Sequence, residues 1–109
     1  MLTFDREGRG EPTFIFVHGF GCAREDWSSQ VARFSCKHEC ISVDLPGFGE
    51  TPELETRPSM EKFGEAVLEL MDAEGVGRAV LFGHSMGCRP AMELSIASPE
   101  RVLGLVLVD

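Results

Sequence analysis

The sequence contains no tyrosine and only one tryptophan, so eight phenylalanines supply nearly all of its aromatic bulk. No apolar run approaches the ~20 residues that a membrane-spanning helix needs. The first residues, Met1 to Glu7, have neither a basic start nor an apolar stretch, so they do not read as a secretory signal. A cytoplasmic protein is therefore expected. Basic residues are scarce: ten Lys and Arg stand against eighteen Asp and Glu, a formal net charge of −8. Such a chain repels phosphate backbones and anionic lipid, so neither nucleic acid nor a membrane is an expected partner. Neither G-x-G-x-x-G nor a P-loop follows any strand, which argues against a nucleotide-binding domain. Cysteines are few as well. Cys22, Cys36, Cys40 and Cys88 are expected to be reduced thiols. Cys36 and Cys40 flank His38, but no second ligand pair lies at a suitable spacing, so no metal site or other cofactor is expected.

What remains is an ordinary globular composition, 43% apolar and 26% charged over 109 residues, enough for one small domain. Short apolar runs alternate with helical periodicity. That alternation predicts an α/β fold, a mostly parallel sheet with flanking helices. Leu2 to Asp5 reads as an edge strand. Thr13 to Val17 is a continuous β-branched and aromatic run, the mark of a strand buried on both faces. A helix over Asp26 to Phe34 places Trp27, Val31 and Phe34 on one side. Cys40 to Val43 is the next strand, ended by the turn residues from Asp44 to Gly49. Glu50 to Pro58 is a polar loop. Met60, Phe63, Val67, Leu70 and Met71 recur at helical spacing within Ser59 to Glu74, and Gly75 supplies a stop. Ala79 to Phe82 is a strand broken by Gly83, followed by a helix over Ser85 to Ala97. Val102 to Val108 is the last strand.

Two glycine motifs stand at the C-terminal ends of strands, the edge where open α/β sheets bind ligands. One is His18-Gly19-Phe20-Gly21. The other, Gly83-His84-Ser85-Met86-Gly87, sits where a strand turns directly into a helix. A turn that tight strains its middle residue and lifts the side chain clear of the backbone. The flanking glycines are needed because a Cβ would collide with the neighbouring strand and helix. The helix behind Ser85 offers unpaired N–H groups and a positive dipole end. A hydroxyl placed there can attack a carbonyl and find a donor for the resulting oxyanion.

These two motifs, with Asp44-Leu45-Pro46-Gly47-Phe48-Gly49 between them and Leu105 to Asp109 after them, resemble the α/β-hydrolase superfamily in order and spacing over nearly the whole chain. The resemblance implies that residues 1–109 are the N-terminal part of one α/β-hydrolase domain, an incomplete version of that fold. It implies a serine hydrolase acting on a small-molecule ester or related acyl substrate. In that pattern Ser85 matches the nucleophile and Gly83 and Gly87 match the steric glycines of its elbow. The backbone N–H groups of Phe20 and Met86 match the oxyanion hole. Asp44, Gly47 and Gly49 match a structural loop. A serine at position 85, where an aspartate would mark dehalogenases and epoxide hydrolases, disfavours those branches and leaves esterases, lipases, lactonases, C–C bond hydrolases and cofactor-free haloperoxidases open. Asp109 stands where some members carry the catalytic acid, although an aspartate there is more often structural. The family's histidine would follow Asp109. His18, His38 and His84 are all placed unfavourably to replace it. Two expectations follow: the chain alone is inactive, and the apolar last strand leaves a sheet edge open to self-association. The competing reading is a non-catalytic half-domain that pairs with itself or with a partner.

Overall fold

The computed structural model describes residues 1–109. Five strands form one sheet in the order β1-β3-β2-β4-β5. They are β1 (Phe4–Glu7), β2 (Thr13–Val17), β3 (Cys40–Val43), β4 (Ala79–His84) and β5 (Val102–Val108). The helices are α1 (Ser28–Phe34), α2 (Met60–Ala73) and α3 (Cys88–Ala97). Only β1 runs antiparallel, against β3; the other pairings are parallel. The expected α/β class is therefore observed, with β2 at the centre of the sheet.

The sheet separates two cores. Because side chains alternate along a strand, Ile15 and Val17 face one way and Phe14 and Phe16 the other. On the first face Ile15, Val17, Ile41, Val43 and Leu81 pack against Phe63, Val67, Leu70 and Met71 of α2 and Ala91 and Leu94 of α3. On the second, Phe16, Cys40 and Phe82 meet Trp27 and Val31. Phe16 and Phe82 stack at 4.6 Å, and Trp27 tilts onto Phe16 at 5.0 Å. Burial on both faces is what the unbroken apolar character of Thr13 to Val17 requires.

Helix boundaries follow local chemistry. Ser59 caps α2 by accepting the Lys62 N–H at 3.1 Å, and Gly75 follows its end at φ 71°. The helix expected over Asp26 to Phe34 is two pieces, a 3-10 turn over Arg24–Trp27 and then α1. The helix expected from Ser85 likewise starts as a 3-10 turn, Ser85–Gly87, before α3 begins at Cys88. Pro90 is buried in the first turn of α3, where its missing N–H had no partner to lose. Two strand limits differ from expectation. Gly83 does not break β4, which continues through His84 because it pairs with β5 as far as Val108. β1 begins two residues later than the apolar pattern indicates. Its position is set by pairing with β3 and by Arg6, which bonds Glu39 at 2.7 Å and Glu74 at 2.9 Å.

The register brings function within reach. Val17 lies opposite Val43 on one side and Gly83 on the other. The three parallel strands therefore end level, and the segments beginning at His18, Asp44 and Ser85 leave one edge together. β5 is the outer strand, and Leu103, Leu105, Val106, Leu107 and Val108 are all exposed. No helix is long and apolar enough to cross a membrane.

Leu81 is fully buried, whereas Leu103 is 52% exposed. Leu81→Ala is expected to cost about 3 kcal/mol and Leu103→Ala about 0.5 kcal/mol, read from urea midpoints at an unchanged slope.

Candidate functional site

Ser85 is the one residue other than glycine with a positive φ, 52°. That conformation costs a side-chain-bearing residue of order 1 kcal/mol or more, so the surroundings must impose it. They do so through backbone contact. A Cβ on Gly87 would lie 2.3 Å from the Val17 carbonyl oxygen and 2.5 Å from that of His18. A Cβ on Gly83 would lie 2.8 Å from Cys88 Cα and from the Gly87 oxygen. Only glycine lets the start of α3 press onto the end of β2 and fold back over β4. The turn between them has no room for a relaxed residue, and Ser85 projects into solvent.

The segment after β2 closes on the same point. A Cβ on Gly19 would stand 3.3 Å from Ser85 Cβ and 3.1 Å from the His84 carbonyl oxygen. Phe20 and Ser85 therefore belong to one small region, as the two motifs led us to expect. Phe20 is 77% exposed, and its N–H donates to no backbone oxygen. The Met86 N–H lies in the first turn of its helical segment, where no carbonyl precedes it at bonding distance along the chain.

His18 fixes the loop's path. Its ring is fully buried, with Nε2 accepting the Leu45 N–H at 3.0 Å and Nδ1 at 2.8 Å from the Gly19 oxygen. An accepting Nε2 leaves the proton on Nδ1, which donates to Gly19. Both ring nitrogens are thus committed to tying the loop after β2 to the loop after β3. His38 stacks on Phe14 at 4.1 Å, and its Nδ1 is 2.9 Å from the Pro12 oxygen, beside the N-terminal end of β2. His84 sits edge-on to Trp27 at 6.4 Å, against the second core. Asp109 is exposed beyond β5 and forms no ion pair.

The third segment is anchored by a buried carboxylate. Asp44 has no exposed surface, yet it accepts the Arg24 N–H at 2.7 Å, the Glu50 N–H at 3.0 Å and the Arg24 guanidinium. Burial alone would raise its pKa. The amides of Glu50 and Arg24 and the adjacent guanidinium outweigh that cost and hold the carboxyl below its usual range. Gly49, at φ 53°, has its Cβ position within 2.3 Å of the carboxylate, so no larger residue fits. Arg24 also bonds Glu50 at 2.7 Å and Asp5 at 3.0 Å. Glu50 foremost, with Asp44 and Asp5, raises the guanidinium still further above its ordinary value. Arg24 was not foreseen as a residue of the site. The one available signal was an aspartate ending an apolar strand, which demands a cation.

An open cleft of about 390 Å³ adjoins the turn. Its apolar walls are Phe20, Phe48, Leu54, Met60, Phe63 and Met86, so both residues matched to oxyanion donors border it. Leu54, Met60 and Phe63 were not foreseen as site residues. Leu54 is the lone leucine of a polar loop, and the other two read as core positions of α2. The four cysteines are free. Burial and the nearby Asp26 push the Cys22 thiol up, away from a reactive thiolate.

The α/β hydrolase fold family matches residues 12–109. The chain belongs to this family. As an α/β hydrolase it is 31% identical over 108 residues to the dihydrolipoyllysine-residue acetyltransferase component of the acetoin cleaving system of Cupriavidus necator, covering 99% of this chain and 29% of that protein. It is 30% identical to the (E)-2-((N-methylformamido)methylene)succinate hydrolase of Acinetobacter baylyi, covering 94% of this chain and 39% of that one. An esterase from Thermogutta terrifontis superimposes with a TM-score of 0.92 at 32% identity, covering 97% of this chain and 39% of that structure. The chain thus spans between 29% and 39% of the length of these relatives.

Two substitutions test this frame. Gly87→Ala drives a Cβ into two backbone carbonyls and is expected to lower stability by about 2 kcal/mol or more, seen as a lower melting temperature. Arg24→Met leaves Asp44 buried and unpaired, an expected loss of about 3 kcal/mol. Asp44's depressed pKa favours the native state above the unfolded carboxyl's value of about 4, and that contribution fades as pH falls through the lower folded value. Without Arg24 that acid-side loss is expected to shrink, as read by urea unfolding across pH.

Proposed function

We propose that Ser85 is the nucleophile of a serine hydrolase acting on carboxylic esters or related acyl compounds. One observation carries the reading: an exposed serine is held at φ 52° on a strand-to-helix turn, against the Gly19 backbone. Strain of this kind persists only where surrounding contacts enforce it, and here it holds an exposed serine next to the Gly19 backbone. The hydrolase and esterase among the relatives support a hydrolytic reaction.

In this scheme Ser85 Oγ attacks the acyl carbon while its proton passes to a general base. The carbonyl oxygen becomes an oxyanion between the N–H groups of Phe20 and Met86. Collapse expels the alcohol, which takes the proton. Water then attacks the acyl-serine by the same route, releasing the acid and restoring the hydroxyl. Gly83 and Gly87 hold the turn. The base in this scheme lies outside residues 1–109: His18 is committed at both nitrogens, His38 stacks on Phe14 at the other end of β2, and His84 forms no hydrogen bond to Ser85. Asp109 has no role in it.

A second reading has its own observation. The exposed apolar face and edge of β5 suit a half-domain that pairs with itself or with another chain.

A fluorophosphonate probe separates the two. Donor groups alone retain roughly 10³ to 10⁴-fold catalysis over water when a triad is disabled. Slow phosphonylation confined to Ser85 and abolished by Ser85→Ala is expected. No labelling, together with a stable stoichiometric complex in light scattering, would favour the half-domain.

A further inference from the structure

We propose that the cleft beside Ser85 selects substrates with an uncharged, apolar acyl chain, and that Glu53 is the residue that rejects chains ending in a carboxylate. The inference rests on the hydrolase reading, since it assigns the cleft to the acyl part of that substrate.

Two apolar spaces adjoin the turn, and this cleft is the one bordered by both Phe20 and Met86. At about 390 Å³ it lies toward the small end of ligand pockets, a size suited to a short or medium chain. Six of its ten lining residues are hydrophobic. Phe20 and Met86 form the end next to Ser85. Met60 and Phe63, one turn of α2 apart, form another wall, with Phe48 and Leu54 between. Methionine adapts to chains of different shape, so the cleft discriminates length loosely.

Charge is discriminated sharply. Glu53 is the only charged side chain among the ten lining residues. It is exposed and forms no ion pair, and the Gly47 turn packs beside its Cγ. No arginine or lysine lines the cleft. Lys62, between Met60 and Phe63 on α2, is turned onto the loop before α2, where Nζ bonds the Arg57 carbonyl and Thr56 Oγ1. Within residues 1–109 an incoming carboxylate would meet one like charge and no counter-charge, on a chain carrying a net −8. The Acinetobacter baylyi relative is named for a succinate-type substrate, which carries the group that this cleft refuses.

The five methionines make the test direct. With ε-¹³C-methionine, Met60 and Met86 report on the cleft. Met71, buried in the first core, and Met92, on α3, serve as controls. The probes are methyl hexanoate and monomethyl adipate, which share a chain and differ in whether it ends in a methyl or a carboxylate. Methyl hexanoate is expected to move the Met60 and Met86 signals saturably and leave Met71 and Met92 in place. Monomethyl adipate is expected to bind at least about tenfold more weakly, and Glu53→Gln to recover at least about threefold of that gap. Equal affinity for both esters, an unchanged gap in Glu53→Gln, or shifts absent from Met60 and Met86 would overturn the proposal. Ser85 labelling is read separately. A cleft that discriminates beside an inert Ser85 would remove the hydrolase reading alone.

Discussion

The structure depends on one close approach: the backbone of Gly87 lies against the carbonyl oxygens of Val17 and His18 with no space for a side chain. That contact fixes where α3 starts relative to the central strand. Beside it, Ser85 is held at φ 52° with its side chain exposed. Remove the contact and the serine becomes an ordinary helix-capping residue. The strain is local, but the two packed cores on either side of the sheet sustain it.

Two further ties make the edge rigid. His18 links the loop after β2 to the loop after β3 through both ring nitrogens. Asp44 and Arg24 link the loop after β3 to the turn before α1, and Arg24 extends the tie to Asp5 of β1. None of these groups is asked to touch a substrate. They hold three loops in register so that Phe20, Met86 and Ser85 occupy one small volume. In the proposed hydrolase, donors held in this way would stabilise developing charge without rearrangement.

The sequence made the centre of the fold legible. β2 and β3 match the runs Thr13 to Val17 and Cys40 to Val43, because strands buried on both faces are written in unbroken apolar residues. Ser59 and Gly75 marked both ends of α2 for the same reason that caps are local: their partners lie within a turn. The edges were less legible. β1 slipped by two residues because a strand with one neighbour takes its position from that neighbour, here β3, and from Arg6. The short 3-10 turns at Arg24 and Ser85 left no periodic trace. At the site, the glycine motifs marked the strand-to-helix turn at Ser85 and its closeness to the loop after β2. Arg24 and the cleft walls stayed hidden because each depends on contacts between distant segments. Arg24 meets Asp44 across twenty residues of chain, and Met86 meets Met60 across the cleft.

The most direct test of the account is a crystal structure of the chain with a phosphonate bound covalently at Ser85. The account predicts the phosphoryl oxygen about 2.7 to 3.1 Å from the backbone nitrogens of both Phe20 and Met86, with Ser85 still at positive φ. A phosphoryl oxygen turned to solvent, or Ser85 relaxed into a continuous helix, would contradict it.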